Sequence, residues 1–181
     1  MKRRGYLFAV VILAIALDVS PRAQAPTIEY DVKAAFLLNF MRYIEWPPAS
    51  HNGQRFGLCT LDPDPFGNRL ESAAAGEVWD GQPVVVHRLS TIRPGECHLL
   101  YVPSASMTAF RVMQRDLQHQ SILTVGESAD FLERGGIIQF VVESNRVRFS
   151  IHTRNAQTAG LRVGSRLLRL AKEVVGEVPR R

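Results

Sequence analysis

The chain has 181 residues, of which 46% are hydrophobic, and a formal net charge of +5. Its first 25 residues hold four basic residues and one acidic residue, so the net charge of the remaining 156 is only +2. This weak charge argues against a nucleic-acid-binding protein, and the length fits one domain with an ordinary hydrophobic core.

The beginning of the chain has the three parts of a secretory signal peptide. Basic residues 2–4 precede an apolar run over residues 6–17, and Ala-Gln-Ala follows at 23–25. The apolar run is shorter than a helix that spans a bilayer comfortably. We therefore predict a signal peptide over residues 1–25, a single domain over residues 26–181, and export to the periplasm.

The predicted domain contains two cysteines, Cys59 and Cys97, which are 38 residues apart. An even number of cysteines in an exported chain predicts a disulfide bond. Neither a Cys-x-x-Cys motif nor a group of histidines accompanies them, so the sequence predicts no metal site and no cofactor.

The stretch from Glu29 to Pro47 is unusually apolar and predicts the first helix, with Thr27 as its N-cap. On a helical wheel its polar residues form one narrow stripe: Asp31, Asn39, Arg42 and Glu45. Leu38 lies within that stripe. It is then a stray leucine on a core helix, an exposed residue, or a residue covered by another chain.

The rest of the domain alternates between strand and helix patterns. Strands are predicted over residues 55–61, 82–89, 97–102, 121–125, 137–143 and 146–151. Helices are predicted over residues 66–75, 104–118, 128–134 and 155–174, the last one kinked at Gly160 and Gly164. Ser144-Asn145 joins the last two strands in a hairpin, because Asn tolerates the positive φ of a tight turn. The fold class predicted is a single three-layer α/β domain with a mostly parallel sheet, an antiparallel C-terminal hairpin and flanking helices.

Ligands of such sheets bind outside the carboxyl ends of the strands, which here carry Asp62, Asp64, Ser104 and Glu127. Asp62 and Asp64 have two interpretations: paired carboxylates for a metal or a phosphoryl group, or an Asx-type turn. The other residues that a phospho-accepting domain needs, including a lysine on its fifth strand, are missing. The sequence also lacks the nucleophile-elbow, phosphate-loop and zinc motifs, so we predict no catalytic residues and no enzyme.

Arginine is concentrated near the C-terminus. Arg148 alternates with apolar residues on a predicted strand, and Arg162 lies between two glycines. Because a guanidinium group binds carboxylate or phosphate bidentately, Arg148 and Arg162 are predicted ligand-binding residues. Arg166 and Arg169 have a simpler interpretation: they lie on the solvent-exposed face of an amphipathic helix.

Four blocks of sequence carry a family resemblance: VKAAFLLNFMRYIEWP at residues 32–47, FGLCTLDPDPFG at 56–67, ILTVGESADFLERGGIIQFVVESNRVRFSI at 122–151 and AGLRVGSRLLRLAKEV at 159–174. In this order they resemble the YfiR-like family of exported proteins, long classed as a domain of unknown function. The resemblance covers essentially the whole predicted domain and supports a Cys59–Cys97 pair. The chain departs from the family in having no second cysteine pair and in carrying Gly164-Ser165 where Ser-Ser is usual.

The resemblance implies a periplasmic homodimer that represses an inner-membrane diguanylate cyclase by binding its periplasmic sensor part. Cyclic di-GMP signalling and biofilm formation fall as a result, and an outer-membrane lipoprotein relieves the repression by sequestering the regulator. We expect the partner surface to include Leu38, Ile137 and Arg146. The alternative is a periplasmic small-molecule-binding protein or hydrolase that uses the Asp62/Asp64 or Arg148/Arg162 region.

Overall fold

The computed structural model describes residues 25–48, 50, 55–91, 93, 95–117 and 120–176, so the predicted signal peptide before Ala25 lies outside the described residues. The helices are α1 (Ala25–Met41), α2 (Arg69–Ala74), α3 (Met107–Leu117), α4 (Thr153–Thr158) and α5 (Ser165–Leu170). The first strands are β1 (Ile44–Glu45), β2 (Phe56–Leu61), β3 (Val78–Trp79), β4 (Gln82–Leu89) and β5 (Leu99–Val102). They are followed by β6 (Leu123–Gly126), β7 (Ile138–Glu143), β8 (Arg146–His152), β9 (Arg162–Val163) and β10 (Glu173–Val175).

Eight strands form one sheet in the order β10-β8-β7-β6-β5-β2-β4-β3, and β1 and β9 form a separate antiparallel pair. The five strands β4, β2, β5, β6 and β7 are parallel, whereas β8 is antiparallel to β7 and β3 is antiparallel to β4. The predicted fold class is therefore confirmed: a mostly parallel α/β sheet with an antiparallel C-terminal hairpin.

Each face of the sheet has its own hydrophobic core. On one face, α1 and α2 pack against β2, β5, β7 and β8, and the aromatic rings of Phe40, Phe140 and Phe149 meet there. On the other face, α3 packs through Phe110 and Leu117 against a second cluster. These two layers of helices bury both sides of the central strands, which explains why β2 and β5 are apolar at nearly every position.

The hairpin of β7 and β8 forms as predicted, with Ser144 and Asn145 in the turn at φ values of 47° and 59°. Two consecutive residues at positive φ are characteristic of a two-residue hairpin turn. Its register places Phe140 opposite Phe149 and Val142 opposite Val147. These four side chains therefore share the face of the sheet that α1 covers.

The predicted single C-terminal helix over residues 155–174 is wrong. Gly160 has a φ of +72° and ends α4, and the Gly164 N–H donates to the Tyr43 carbonyl at 2.8 Å. A Cβ at Gly164 would lie only 2.9 Å from that oxygen, so glycine permits the close approach that pairs β9 with β1. The chain then forms α5 and returns as β10 along the outer edge of β8.

The first helix also differs from its prediction at both ends. It begins at Ala25, before the predicted N-cap at Thr27, and ends at Met41 rather than near Pro47. The N–H groups of Arg42 and Tyr43 donate to carbonyls three residues earlier, which tightens the last turn. Residues 44–45 then pair with β9, so tertiary pairing overrides the helical pattern there.

Leu38 is buried, with 7% of its surface exposed, so the prediction that it belongs to an accessible partner surface is wrong. Asp31, seven residues earlier on the same side of α1, pairs with Arg69 of α2 at 2.9 Å. Since α2 packs along that side of α1, Leu38 is covered within its own chain. Ile137 is buried too, at 2% exposure, and only Arg146 of the three predicted partner residues is exposed.

We accordingly expect Leu38→Glu to unfold the domain or to destabilise it by more than about 3 kcal/mol, because it buries an unpaired carboxylate. Urea denaturation measures the loss. Ala35→Glu, on the exposed side of the same helix, should change the free energy of unfolding by no more than about 0.5 kcal/mol. Equal stability of the two variants would contradict the observed packing of α1 on α2.

Candidate functional site

A buried polar cluster lies at the carboxyl ends of the parallel strands, where ligands of such sheets usually bind. Glu127 directly follows β6, and Tyr101 is on the neighbouring strand β5. Tyr30 and Lys33 come from the first turns of α1, which passes over this edge of the sheet. We call these four residues the Glu127 cluster.

Glu127 is the common acceptor of the cluster. Its Oε2 accepts hydrogen bonds from Lys33 Nζ and from the Tyr101 hydroxyl, both at 2.6 Å. The Tyr30 hydroxyl donates to the same carboxylate at 3.3 Å, and the Ser104 backbone N–H donates to Oε1 at 3.3 Å. One carboxylate therefore ties α1 to the ends of β5 and β6.

Lys33 is almost completely buried, with 2% of its side chain exposed. It also forms an ion pair with Glu29, one turn earlier on α1, and its ammonium group lies 4.5 Å from the centre of the Tyr30 ring. A buried ammonium group is tolerated only when it is paired, and here two carboxylates and an aromatic face surround it.

The surroundings keep the cluster charged at neutral pH. Burial acts to raise the pKa of Glu127, but hydrogen bonds from Lys33 and Tyr101 and the Lys33 charge lower it below its ordinary value. Burial acts to lower the pKa of Lys33, but the hydrogen bonds to Glu127 and Glu29 raise it. Burial, followed by the charge of Glu127, raises the pKa of Tyr101. Lys33 and Glu127 are thus ionised, and Tyr101 is a neutral donor.

The free energy of unfolding should therefore decrease in acid. The pKa of Glu127 is below its ordinary value of 4.5 in the folded protein, so its contribution is complete above that pH. The contribution is lost as the pH falls through the lower, folded value. Urea denaturation from about pH 7 down to about pH 3 measures this loss. Glu127→Gln should reduce the slope of the free energy of unfolding against pH. Identical slopes for the parent and the variant would contradict this role of Glu127.

The crevice of a doubly wound sheet lies where successive strands depart in opposite directions. That point is between β2 and β5, because β4 lies on one side of β2 and β5 on the other. Side chains of the protein itself fill this position. The Ser106 hydroxyl donates to the Asp62 carbonyl at 2.6 Å, which links the loops after the two strands. Phe66 packs between Tyr30 and Tyr101, with ring-centre distances of 5.3 and 4.7 Å.

Asp62 and Asp64 form no paired-carboxylate site. Asp64 Oδ1 accepts the backbone N–H of Phe66 at 2.9 Å, as in an Asx turn, and Oδ2 pairs with Arg88 Nε at 2.7 Å. Asp62 takes part through its backbone, since its N–H donates to the Leu89 carbonyl at 3.0 Å and its carbonyl accepts the Ser106 hydroxyl. Within the described ranges, no group of three or more His, Cys, Asp or Glu residues has the arrangement of a metal site.

The two arginines predicted to bind a ligand lie in different sheets. Arg148 is exposed on β8, on the face opposite Phe149. Arg162 is on β9, 83% exposed, and its Nε is 3.6 Å from Glu45 Oε2. An ion pair this exposed contributes little to stability.

Cys59 and Cys97 are joined by a disulfide, the pairing that the sequence predicts. Cys59 lies in the middle of β2 and Cys97 two residues before β5. Both side chains are buried in the core on the α3 side of the sheet. The bond therefore crosslinks two adjacent central strands.

Sequence reasoning placed Glu127 at the correct edge of the sheet but missed its partners in α1. A signal was present, since Lys33 is one of only two lysines after the predicted signal peptide and lies in an otherwise apolar stretch. A lysine in such a position is either at the surface or paired with a buried carboxylate. The sequence alone does not show which carboxylate α1 reaches.

The fold and the carboxyl edge of its sheet define a class: an α/β protein with a doubly wound sheet whose ligand crevice is filled by its own side chains, including Tyr30 of the first helix. Sequence comparison goes further, because the model of the YfiR/HmsC-like family matches residues 30–172. The chain belongs to this family, as the sequence resemblance predicts. No curated protein matches the sequence. No helix among the described residues is both long enough and apolar enough to cross a membrane.

Two solved structures have a similar fold. A conserved domain protein from Vibrio cholerae superposes with a TM-score of 0.54 at 10% identity, covering 81% of this chain and 60% of that one. The ABC domain in complex with L-Trp from Streptococcus pneumonia superposes with a TM-score of 0.56 at 11% identity, covering 78% of this chain and 60% of that one. The chain thus spans 60% of the length of either protein, and at these identities the likeness shows the fold alone.

Proposed function

We propose that this protein is a periplasmic regulator that represses a membrane-bound diguanylate cyclase by binding the periplasmic sensor part of that enzyme. Membership of the YfiR/HmsC-like family supports a regulatory, non-catalytic role. The buried disulfide supports an oxidising compartment such as the periplasm, to which the predicted signal peptide over residues 1–25 would direct the domain.

The filled crevice is the observation that carries this proposal. Phe66 packs between Tyr30 and Tyr101 at the position where related sheets hold substrates, and Glu127 binds Lys33 and so holds α1 in place over it. The domain then acts through its outer surface, by contact with another protein. The same observation disfavours a hydrolase at Asp62 and Asp64, since both Asp64 oxygens are already engaged within the fold.

A protein outside the membrane reaches a cytoplasmic cyclase only by binding one conformation of its sensor more tightly than another. A tenfold change in output requires about 1.4 kcal/mol of differential binding free energy. A few buried apolar contacts supply that much. The proposal includes two further partners, a second copy of the chain in a homodimer and an outer-membrane lipoprotein that sequesters the regulator.

Deleting the gene should raise the intracellular concentration of cyclic di-GMP and increase biofilm formation, and a plasmid copy should restore both. Expression of the exported protein in a strain that lacks the membrane partner should leave the cyclic di-GMP concentration unchanged. This result separates regulation from enzymatic turnover of the nucleotide. Unchanged cyclic di-GMP after deletion would overturn the proposal. So would a metal-dependent hydrolytic activity of the pure protein that Asp62→Asn abolishes.

A further inference from the structure

Exposed apolar side chains are concentrated around one part of the molecule. Six large ones are clearly exposed among the described residues, and four of them lie near α1 and the hairpin: Ile28, Val32, Val142 and Leu170. Ile28 and Val32 are one turn apart on α1, and Phe36, half-buried, continues the same line. A concentrated apolar surface marks an interaction site more often than scattered single residues do.

The fold brings these side chains to one side of the sheet. Phe36 contacts Phe149 of β8, with ring centres 5.6 Å apart, so this flank of α1 faces the hairpin. Val142 and Val147 are the next pair towards the hairpin turn on the same face. Val142 is 49% exposed, so α1 leaves this end of the hairpin partly uncovered.

Helix α5 forms the other side of this surface. The Arg166 guanidinium lies 5.8 Å from the ring centre of Tyr43, two residues beyond α1, so the Arg166 side of α5 faces the C-terminal end of α1. Leu170 is one turn further along that side and is 64% exposed. The Lys172 N–H donates to the Phe149 carbonyl at 2.8 Å, which holds the end of α5 against β8. We call Ile28, Val32, Phe36, Val142 and Leu170 the α1–hairpin surface.

The charges beside the α1–hairpin surface are unbalanced. Arg166 and Arg169 are exposed on α5, and neither has a carboxylate partner among the described residues. The carboxylates on this side are already paired, Glu29 with Lys33 and Glu45 with Arg162. Glu173 lies on the opposite face by its register with Ser150. The surface thus combines aliphatic side chains with unpaired arginines.

We propose that the α1–hairpin surface binds a segment of another protein that carries an apolar stripe flanked by Asp or Glu. Guanidinium groups favour carboxylates, which they bind bidentately. In a two-fold dimer the same surface of a second copy would bring the same arginines, whereas the carboxylates described beside that surface, Glu29 and Glu45, are already paired. A membrane surface is a poorer fit, since interfacial segments present exposed aromatic side chains and the only aromatic residue here is half-buried. This inference rests on the proposed function, in which the partner is the periplasmic part of a membrane sensor.

The test is photo-crosslinking in the native bacterium. Val32→p-benzoylphenylalanine and Leu170→p-benzoylphenylalanine place a photoreactive group in the surface. Val112→p-benzoylphenylalanine is the control, because Val112 is 78% exposed between Arg111 and Arg115 on α3 but lies in the other helix layer. We expect at least tenfold more adduct from positions 32 and 170, on a peptide of a different protein with an apolar stripe beside carboxylates.

Charge reversal supplies the second measurement. Arg166→Glu with Arg169→Glu should reduce the adduct from position 32 about tenfold, whereas Arg111→Glu with Arg115→Glu should leave it unchanged. Circular dichroism verifies that every variant is folded. An adduct with the same chain, with lipid, or with a peptide that lacks carboxylates would overturn the inference, as would equal adduct from positions 32 and 112.

Cyclic di-GMP, measured in the same strains, separates the two proposals. If deletion leaves cyclic di-GMP unchanged while the predicted adduct forms, the proposed function fails and the binding surface stands. If deletion raises cyclic di-GMP and positions 32 and 170 give no more adduct than position 112, the surface is wrong and the function stands.

Discussion

Glu127→Ala should reduce the free energy of unfolding by about 3–5 kcal/mol, which is what breaking a buried ion pair by removing one partner costs. Lys33 is 2% exposed and would keep only Glu29 as a charged partner. The hydroxyl of Tyr101, also buried, would lose its acceptor. For a domain of this size the loss corresponds to a melting temperature roughly 6–20 °C lower.

Glu143→Ala is the matched control, because Glu143 pairs with Lys172 where both side chains are exposed. An exposed pair contributes about 0–1 kcal/mol, so this variant should unfold close to the parent. Lys33→Met in a Glu127→Gln background should recover much of the stability, since apolar replacement of a buried pair is often neutral. Equal losses from Glu127→Ala and Glu143→Ala would show that the Glu127 cluster contributes no more than a surface pair.

The central strands and the hairpin could be predicted from sequence because local patterns determine them. β4 spans residues 82–89 as predicted, a run with three consecutive valines. The hairpin turn at Ser144-Asn145 is also determined locally, because Asn tolerates positive φ. Strands that are apolar at nearly every position also predict helices on both faces, which the structure has.

The prediction failed where distant segments decide the structure. Residues 44–45 have a helical pattern, yet they pair with residues 162–163, more than a hundred positions later. The same pairing divides the predicted C-terminal helix. Leu38 lies in a polar stripe on the helical wheel, but it is buried in the packed structure, on the side of α1 where Asp31 pairs with α2.

The candidate site was predicted only in part for the same reason. Strand ends placed Glu127 and Ser104 at the carboxyl edge; Glu127 is the centre of the cluster, and the backbone N–H of Ser104 donates to its carboxylate. Asp62 and Asp64 were equally well placed by sequence, but one serves through its backbone and the other as a turn cap. Which carboxylate meets a buried lysine depends on how α1 crosses the sheet, and that is a property of the packed structure.

Removing the disulfide should cause a large loss of stability without creating an unpaired charge. The double variant Cys59→Ala with Cys97→Ala opens a loop of 38 residues. On the chain-entropy account, closing a loop of that length stabilises the fold by about 4 kcal/mol. The melting temperature should therefore fall by roughly 8–16 °C.

The position of the bond makes this loss measurable in a second way. Cys59 is fully buried and Cys97 is 5% exposed, so a reductant should act on the folded protein slowly and on the unfolded protein rapidly. Added reductant should then lower the melting temperature of the parent towards that of the double variant and leave the double variant unchanged. Peptide mapping of unreduced protein should find one linked peptide and no alkylated cysteine. Two alkylated cysteines in the native protein, or a double variant within about 1 kcal/mol of the parent, would show that β2 and β5 are held together by their shared core and hydrogen bonds rather than by the crosslink.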